Sequence, residues 1–495
     1  MIPDPGRDWR LLIDGQLVPA GDGGVTPTRS PATGAVLGRA PAATVADVDR
    51  AVRAGHAAQP RWAATPPRQR AAVLRAMADV LRAHRAELGH LDAADGGNPV
   101  TAMTADVDLA ADLLERFADW ADQLGGRTLP GSDDHLHYTT RRPYGVVARI
   151  VPYNHPVMFA ASRVAAPLLA GNSVVLKAPD QTPLSALRFG ELVADLLPAG
   201  VLAVLTGDGA TVGPALVGHP LVRRIAFTGS TGTGQAVLRT AAAHGVKQVS
   251  LELGGKNPMV ILDDADVAAA SAGAVAGMNF HWTGGQSCGS TSRLLVHRSL
   301  VDEVVERVVA GTRAVRVGDP LDPDTEMGTM VSAAHRDRIA GFLRQGRDAG
   351  LTLATGGGLP PGPGAYVEPT VFVDVPPDSP LAREEIFGPV LCVTPFDDER
   401  EALRLVNDSP YGLTASVWTG DVGRAHRWAR SVDAGYVWIN TASRHFAGLP
   451  FGGVKDSGLG SEESVEELHS FTQPKSVTIH LGPTEHPRGG DRGDH

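Results

Sequence analysis

Five short β-type runs lie between Arg142 and Gly255, separated by Ala- and Leu-rich stretches: GVVARIVP, SVVLKAP, VLAVLTG, RRIAFTG and QVSLELGG. Strand, crossover and strand at this spacing predict a parallel sheet with helices on both faces. Ligands on such sheets bind outside the carboxyl ends of the strands. Most of the suggestive polar residues in this region follow directly on a run. The alternation resumes in the second half, at PMVILDD, RLLVHRS, EPTVFVDV, PVLCVTPF, TASVWTG and GYVWIN, with helical segments such as LVDEVVERVVAGTRAV between them. The halves share no sequence repeat, so a second α/β domain is predicted, joined near Gly254–Gly255. Residues 45–122 read as helical, because AAVLRAMADVLRAHRAELGHL spaces its apolar residues by three and four. Near the C-terminus, FTQPKSVTIHL alternates polar and apolar residues. It reads as an edge strand able to pair with another subunit.

The remaining composition excludes several classes. The 495 residues admit two to four domains of roughly 100–200 residues each. With 43% hydrophobic residues the chain can bury a large core. A net charge of -10 argues against nucleic acid or an anionic membrane as partner. The two cysteines, Cys288 and Cys392, exclude a disulfide scaffold and a four-thiolate zinc site. The opening MIPDPGRDWRLLIDG lacks the basic start and apolar run of an export signal. The most apolar region is interrupted by Arg149, Asn154, His155 and Arg163, so no membrane span is expected. The expected location is the cytoplasm. The last residues, GPTEHPRGGDRGDH, are expected to be disordered.

Cys288 stands out chemically. It sits in HWTGGQSCGSTSR, among Gly, Ser, Thr and Gln, whereas Cys392 sits in the apolar run PVLCVTPF. A polar, glycine-rich turn lets backbone approach a small ligand. Cys288 is therefore either a free loop cysteine or a nucleophile, and a nucleophilic thiol needs a base or dipole beside it. Glu252 is the candidate base: it ends the run QVSLE and precedes Gly-Gly, although the same pattern fits a surface carboxylate.

RRIAFTGSTGTGQAV has the strand, glycine-rich turn and helix of a phosphate-binding turn, with Gly229, Gly232 and Gly234. Its spacing is neither G-x-G-x-x-G nor a P-loop, so an ordinary βα turn also fits. Lys177 ends a parallel run, with Asp180 three residues on. A cation and a carboxylate there can hold ribose hydroxyls. Asn154, in VPYNHP, can stabilise an oxyanion or form an Asx turn before Pro156. Glu384 and Glu385, in EEIFGPV, are ribose contacts or solvated loop acids.

Taken together, PYNHP, VVLKAPDQTP, FTGSTGTG, LELGGKNP, GGQSCGS, EEIFGPV and FGGVKDSGLG resemble the aldehyde dehydrogenase superfamily, in family order from about residue 10 to residue 480. The resemblance implies an α/β fold: a Rossmann-like parallel-sheet cofactor domain (1–122 and 144–253), a second α/β catalytic domain (254–456) and a small β oligomerisation arm (123–143 and 457–485), before a tail at 486–495. It implies Cys288 as nucleophile, Asn154 with the Cys288 N–H as oxyanion hole, and Glu252 as base for thioester hydrolysis. Lys177 and Asp180 would bind the adenine ribose, Ser230 the pyrophosphate and Glu385 the nicotinamide ribose, with Phe387 beside the nicotinamide. Gly229, Gly234, Pro152 and Tyr153 are assigned to the cofactor as well. The family is usually dimeric or tetrameric, so a homodimer or homotetramer is expected.

Three departures bear on the substrate. Tyr153 replaces the usual Trp before the active-site Asn, and His155 and His445 occupy positions that are often aromatic, while Phe451 keeps its aromatic ring. A more polar tunnel than in relatives that oxidise aliphatic aldehydes follows, suited to an aldehyde with hydroxyl, amide or carboxylate groups. Two histidines without a third ligand do not make a metal site. Asp180 accepts from a ribose 2′-OH and repels a 2′-phosphate, which points to NAD, with NADP as the alternative. Glu252 favours release of a free acid over a coenzyme-A-acylating relative. The intact Cys288, Glu252, Asn154 and Lys177 argue against a catalytically silent structural protein on the same fold.

Overall fold

The computed structural model describes residues 4–482, so the expected tail at 486–495 lies outside the described residues. In chain order the strands are β1 Leu11–Ile13, β2 Gln16–Val18, β3 Val25–Arg29, β4 Val36–Pro41, β5 Thr128–Ser132, β6 His135–Pro143, β7 Val146–Ile150, β8 Ser173–Lys177, β9 Leu202–Leu205 and β10 Val222–Thr228. They continue with β11 Gln248–Glu252, β12 Pro258–Ile261, β13 Arg293–His297, β14 Thr352–Thr355, β15 Thr370–Val373, β16 Val390–Phe396, β17 Thr414–Trp418, β18 Tyr436–Ile439, β19 Gly458–Leu459 and β20 Thr472–His480.

Every β-type run identified above forms a strand. The first sheet has the order β19-β11-β10-β7-β8-β9-β1-β2, and its five central strands are parallel. Its strands read as continuous apolar runs because both faces are covered. In β8, Val174 and Leu176 join the core on one face and Val175 the core on the other. Burying such a side chain contributes about 1.5–3 kcal/mol. Helices Val45–Ala64, Pro67–Ala83, Arg85–Gly96 and Val100–Asp119 form the predicted N-terminal helical region. The first begins at a reciprocal cap in which Thr44 accepts from the Asp47 N–H and Asp47 from the Thr44 N–H.

The second sheet has the order β14-β15-β16-β13-β12-β17-β18 and is parallel apart from β14. It too is covered on both faces: Met259 and Ile261 of β12 pack on one side, Val260 and Leu262 on the other. Cys392 is buried in β16, its Sγ donating to the Leu381 carbonyl at 3.3 Å.

Two parts depart from expectation. The N-terminal strands were not anticipated; β1 closes against β9 in antiparallel pairing, which needs no crossover helix and leaves no alternation to read. The expected arm at 457–485 is divided. Gly458–Leu459 pairs with β11 in the first sheet, the helix Val465–Ser470 follows, and only β20 joins β6 and β5 in a three-stranded sheet. β20 is an edge strand, as read from its alternation.

Candidate active site

Residues at the carboxyl ends of the first sheet and the loop before β13 line one cleft. Asn154 follows β7, Lys177 ends β8, Gly229 follows β10 and Glu252 ends β11. Cys288 comes from the other side, in the loop before β13. Gly284 and Gly285 turn this loop with φ of 60° and 77°. A Cβ on Gly285 would collide with the Gly388 carbonyl, so glycine is required for the loop to lie against EEIFGPV. Asn257 pins the loop by donating from Nδ2 to the Cys288 carbonyl at 2.6 Å and the Ser290 carbonyl at 3.0 Å.

The Glu252 carboxyl and the Cys288 thiol face the same cleft, close enough for each to act on the other's charge, and Glu252 Oε1 is buried without a hydrogen-bond partner. Burial, then the adjacent Glu252 charge, push the thiol well above its ordinary range. Burial, then the charge of Glu462, raise Glu252 to about 8. Each group thus disfavours charge on the other, and both hold their protons more tightly than free side chains do. Behind Glu252 lies a buried ionic network. Arg163 contacts Glu462 and Glu463, each at 3.0 Å, and Arg149 contacts Glu462 at 2.6 Å.

Asn154 is 3% exposed. Its carbonyl accepts from Asn98 Nδ2 at 3.0 Å, and the Val157 N–H that follows donates to Asp92 at 2.9 Å. Both partners belong to the N-terminal helical region.

The rest of the cleft is polar and glycine-lined. Lys177 pairs with Asp180 Oδ1, and Asp180 Oδ2 accepts from the Gly209 N–H at 2.9 Å. Ser230 caps the helix Thr231–Ala243, accepting from Thr233 N–H at 3.4 Å. A Cβ on Gly229 would come 2.6 Å from the Phe227 ring. Glu385 accepts from the Gly255 N–H at 2.9 Å, and burial raises its pKa. Phe387, at φ 55°, packs edge-on against Tyr153, and its carbonyl bonds His335 Nε2 at 2.7 Å.

One cleft of about 830 Å³ includes Pro152, Tyr153, Asn154, Lys177 and Asp180 on its walls. Gly229, Ser230, Glu252, Cys288, Glu385 and Phe387 line it as well. Gly234 lies elsewhere: it is buried against Leu253, where a Cβ would come within 2.6 Å, so it serves close helix–strand packing. His155, His445 and Phe451 are not on this cleft. Phe451 is 2% exposed and packs with Cys288, Tyr436 and Trp438. His445 packs tilted on Phe451, ring centroids 4.2 Å apart, and bonds Glu463 at 3.2 Å. His155 bonds Asp106 at 2.7 Å.

Sequence reading missed Asp106, Asn98, Asp92, Arg163 and the Glu462–Glu463 pair. Asp106 falls on the apolar face that Met103, Val107 and Ala110 define, and a charge in that stripe was the available signal. The Arg163 signal was similar, since it interrupts PVMFAASRVAAPLLAG.

Comparisons with known proteins agree with this geometry. A family model described as the aldehyde dehydrogenase family matches residues 18–477. Aldehyde dehydrogenase tropH of Talaromyces stipitatus is 46% identical over 470 residues, covering 93% of this chain and 91% of that protein. Betaine aldehyde dehydrogenase 1 of Rhizobium meliloti is 42% identical over 482 residues, covering 96% and 98%. The NAD+ complex of aldehyde dehydrogenase from Bacillus cereus superposes with a TM-score of 0.94 at 38% identity, covering 96% of this chain and 97% of that one. Sequence motifs, two covered sheets and a thiol–carboxyl pair at their junction thus converge, and the chain belongs to the aldehyde dehydrogenase family.

Proposed function

We propose that this enzyme oxidises a polar aldehyde to the carboxylic acid with NAD, using Cys288 as nucleophile. The observation that carries the reading is a single cleft lined by Cys288, Glu252 and Asn154 together with Lys177 and Asp180. Its volume lies within the ~300–1,000 Å³ usual for small-molecule sites.

The residues fit a dinucleotide. The Gly209 N–H donates to Asp180 Oδ2 at 2.9 Å and so steadies the Lys177–Asp180 pair proposed to hold the adenine ribose. Ser230 and the first N–H groups of its helix suit a pyrophosphate. Glu385 is proposed for the second ribose, with Phe387, Tyr153, Pro152 and Gly229 around it. Asp180 supports NAD over NADP, because a carboxylate accepts from a 2′-OH and repels a phosphate. NAD, when bound, supplies the acceptor for the aldehyde's hydride.

Glu252 takes the thiol proton and passes it to solvent as Cys288 Sγ adds to the carbonyl carbon and makes it tetrahedral. The Asn154 side-chain amide and the Cys288 N–H hold the oxyanion. After the hydride leaves, Cys288 carries the acyl group as a thioester. Glu252 takes a proton from water as its oxygen attacks, the C–S bond breaks and the acid departs. His155, His445 and Phe451 are assigned to the aldehyde's substituent. The free thiols suit a reducing compartment, which supports the cytoplasm. Among the described residues no helix is long and apolar enough to cross a membrane. The edge strand β20 is proposed to pair subunits in a homodimer or homotetramer.

The test is NADH formation across a panel of aldehydes, with NAD and NADP in parallel. Cys288→Ala should abolish it while the protein remains folded. Activity in that variant would exclude Cys288 as the nucleophile.

A further inference from the structure

Two histidines, one following Asn154 and the other against the Cys288–Gly289 turn, are anchored in the same way by different elements. His155 Nδ1 lies 2.7 Å from Asp106 Oδ2, and the other oxygen of Asp106 accepts from Trp282 Nε1 at 2.9 Å. Asp106 is fully buried and 49 residues from His155 in sequence, while Trp282 comes from the helix Phe280–Thr283 just before the Cys288 loop. The ring of His155 packs edge-on against Trp282 and Phe159, and Phe159 lines the cleft beside Cys288. His445 Nδ1 lies 3.2 Å from Glu463 Oε2. Its Nε2 lies 3.8 Å from the Cβ position of Gly289, the residue after Cys288.

Each carboxylate dictates a tautomer. A carboxylate that accepts from Nδ1 holds that ring N–H in place, and Nε2 is left to bind something else. Glu463 is ionised: burial opposes its charge, but His445 and Arg163 outweigh that and hold its pKa at about 2. Glu463 also sits at φ 65°, a backbone conformation that a glutamate adopts only when its surroundings impose it. A quaternary ammonium group binds on open aromatic faces. The Phe451 face is covered by His445 at 4.2 Å.

We propose that Asp106 and Glu463 are positioning residues for substrate selection, presenting the Nε2 atoms of His155 and His445 to an oxygen-bearing substituent of the aldehyde. The inference rests on the assignment of Cys288 as the nucleophile. A hydroxyl would donate to a neutral Nε2, and a carboxylate would accept from a protonated one; the shared chemistry is a hydrogen bond from or to oxygen.

The experiment compares kcat/KM for butanal, 4-hydroxybutanal, 4-oxobutanoate and betaine aldehyde with NAD. One of the two oxygenated aldehydes should exceed butanal by about tenfold, the worth of one good hydrogen bond. Preference for the hydroxyl assigns the neutral rings, and preference for the carboxylate assigns the protonated ones. Asp106→Asn and Glu463→Gln should each reduce the oxygenated-to-butanal ratio by about five- to tenfold, mainly through KM. A merely structural role would lower every aldehyde alike and leave the ratio unmoved. His155→Phe and His445→Phe read the same ratio should the carboxamide variants not fold. Preference for butanal or betaine aldehyde, or an unchanged ratio in the variants, overturns the proposal. No NADH from any aldehyde instead overturns the reading of Cys288 beneath it.

Discussion

Asn98 donates a hydrogen bond from Nδ2 to the backbone carbonyl of Asn154 at 3.0 Å, across 56 residues of sequence. The donor follows the helix Arg85–Gly96, and the acceptor follows β7 of the central sheet. The contact fixes the segment whose side chain is proposed to meet the oxyanion. Asn98→Ala should therefore lower kcat by about tenfold, the loss of one buried hydrogen bond. Asn154→Ala should cost about 10²–10³ in kcat, as for other oxyanion donors. Steady-state kinetics on both variants checks the order; equal KM changes without a kcat loss would refute the role.

Glu252 should set the pH profile of acid release. Its working form is the carboxylate, and its pKa is raised to about 8. The rate should therefore climb as pH rises towards about 8 and level off above it. Glu252→Gln should slow thioester hydrolysis by about 10²–10⁴. Rapid mixing should then show a burst of NADH followed by slow turnover. Steady state without a burst, at unchanged kcat, would remove Glu252 from the mechanism.

Lys177 and Asp180 should divide affinity and selectivity between them. Lys177→Ala is expected to raise KM for NAD by about tenfold or more, since a charged hydrogen-bond donor is lost. Asp180→Ala should improve NADP relative to NAD, because the charge that opposes a 2′-phosphate is gone. The ratio of kcat/KM for the two dinucleotides measures this directly.

Asp92 couples the fold to pH. Burial raises its pKa to about 8 in the folded chain, against about 3.9 in an unfolded one. The folded state thus binds the extra proton, and its stability falls as pH rises through that interval. Asp92→Asn can still accept from the Val157 N–H but has no charge to bury. Its Tm relative to the parent should increase between about pH 5 and pH 8. A difference independent of pH would contradict the buried protonated carboxyl.

Much of this protein is legible in its sequence, because the signals are local. Apolar runs such as SVVLK and PMVI mark strands buried on both faces. Glycines beside Glu252 and Cys288 mark places where backbone must pass close by, and the order of the motifs carries the family. What the sequence alone does not determine is which distant side chains meet. Asp106 reads as a charge on an amphipathic helix, yet folding places it between His155 and Trp282. Glu463 reads as one acid in an acidic stretch, yet it is buried against Arg163 and His445. Gly234 reads as part of a phosphate turn, yet it packs on Leu253. Hydrophobic period and turn chemistry are set within a few residues of chain. Hydrogen-bond partners, burial and the resulting protonation states depend on contacts between elements far apart in sequence, and only the tertiary structure supplies those.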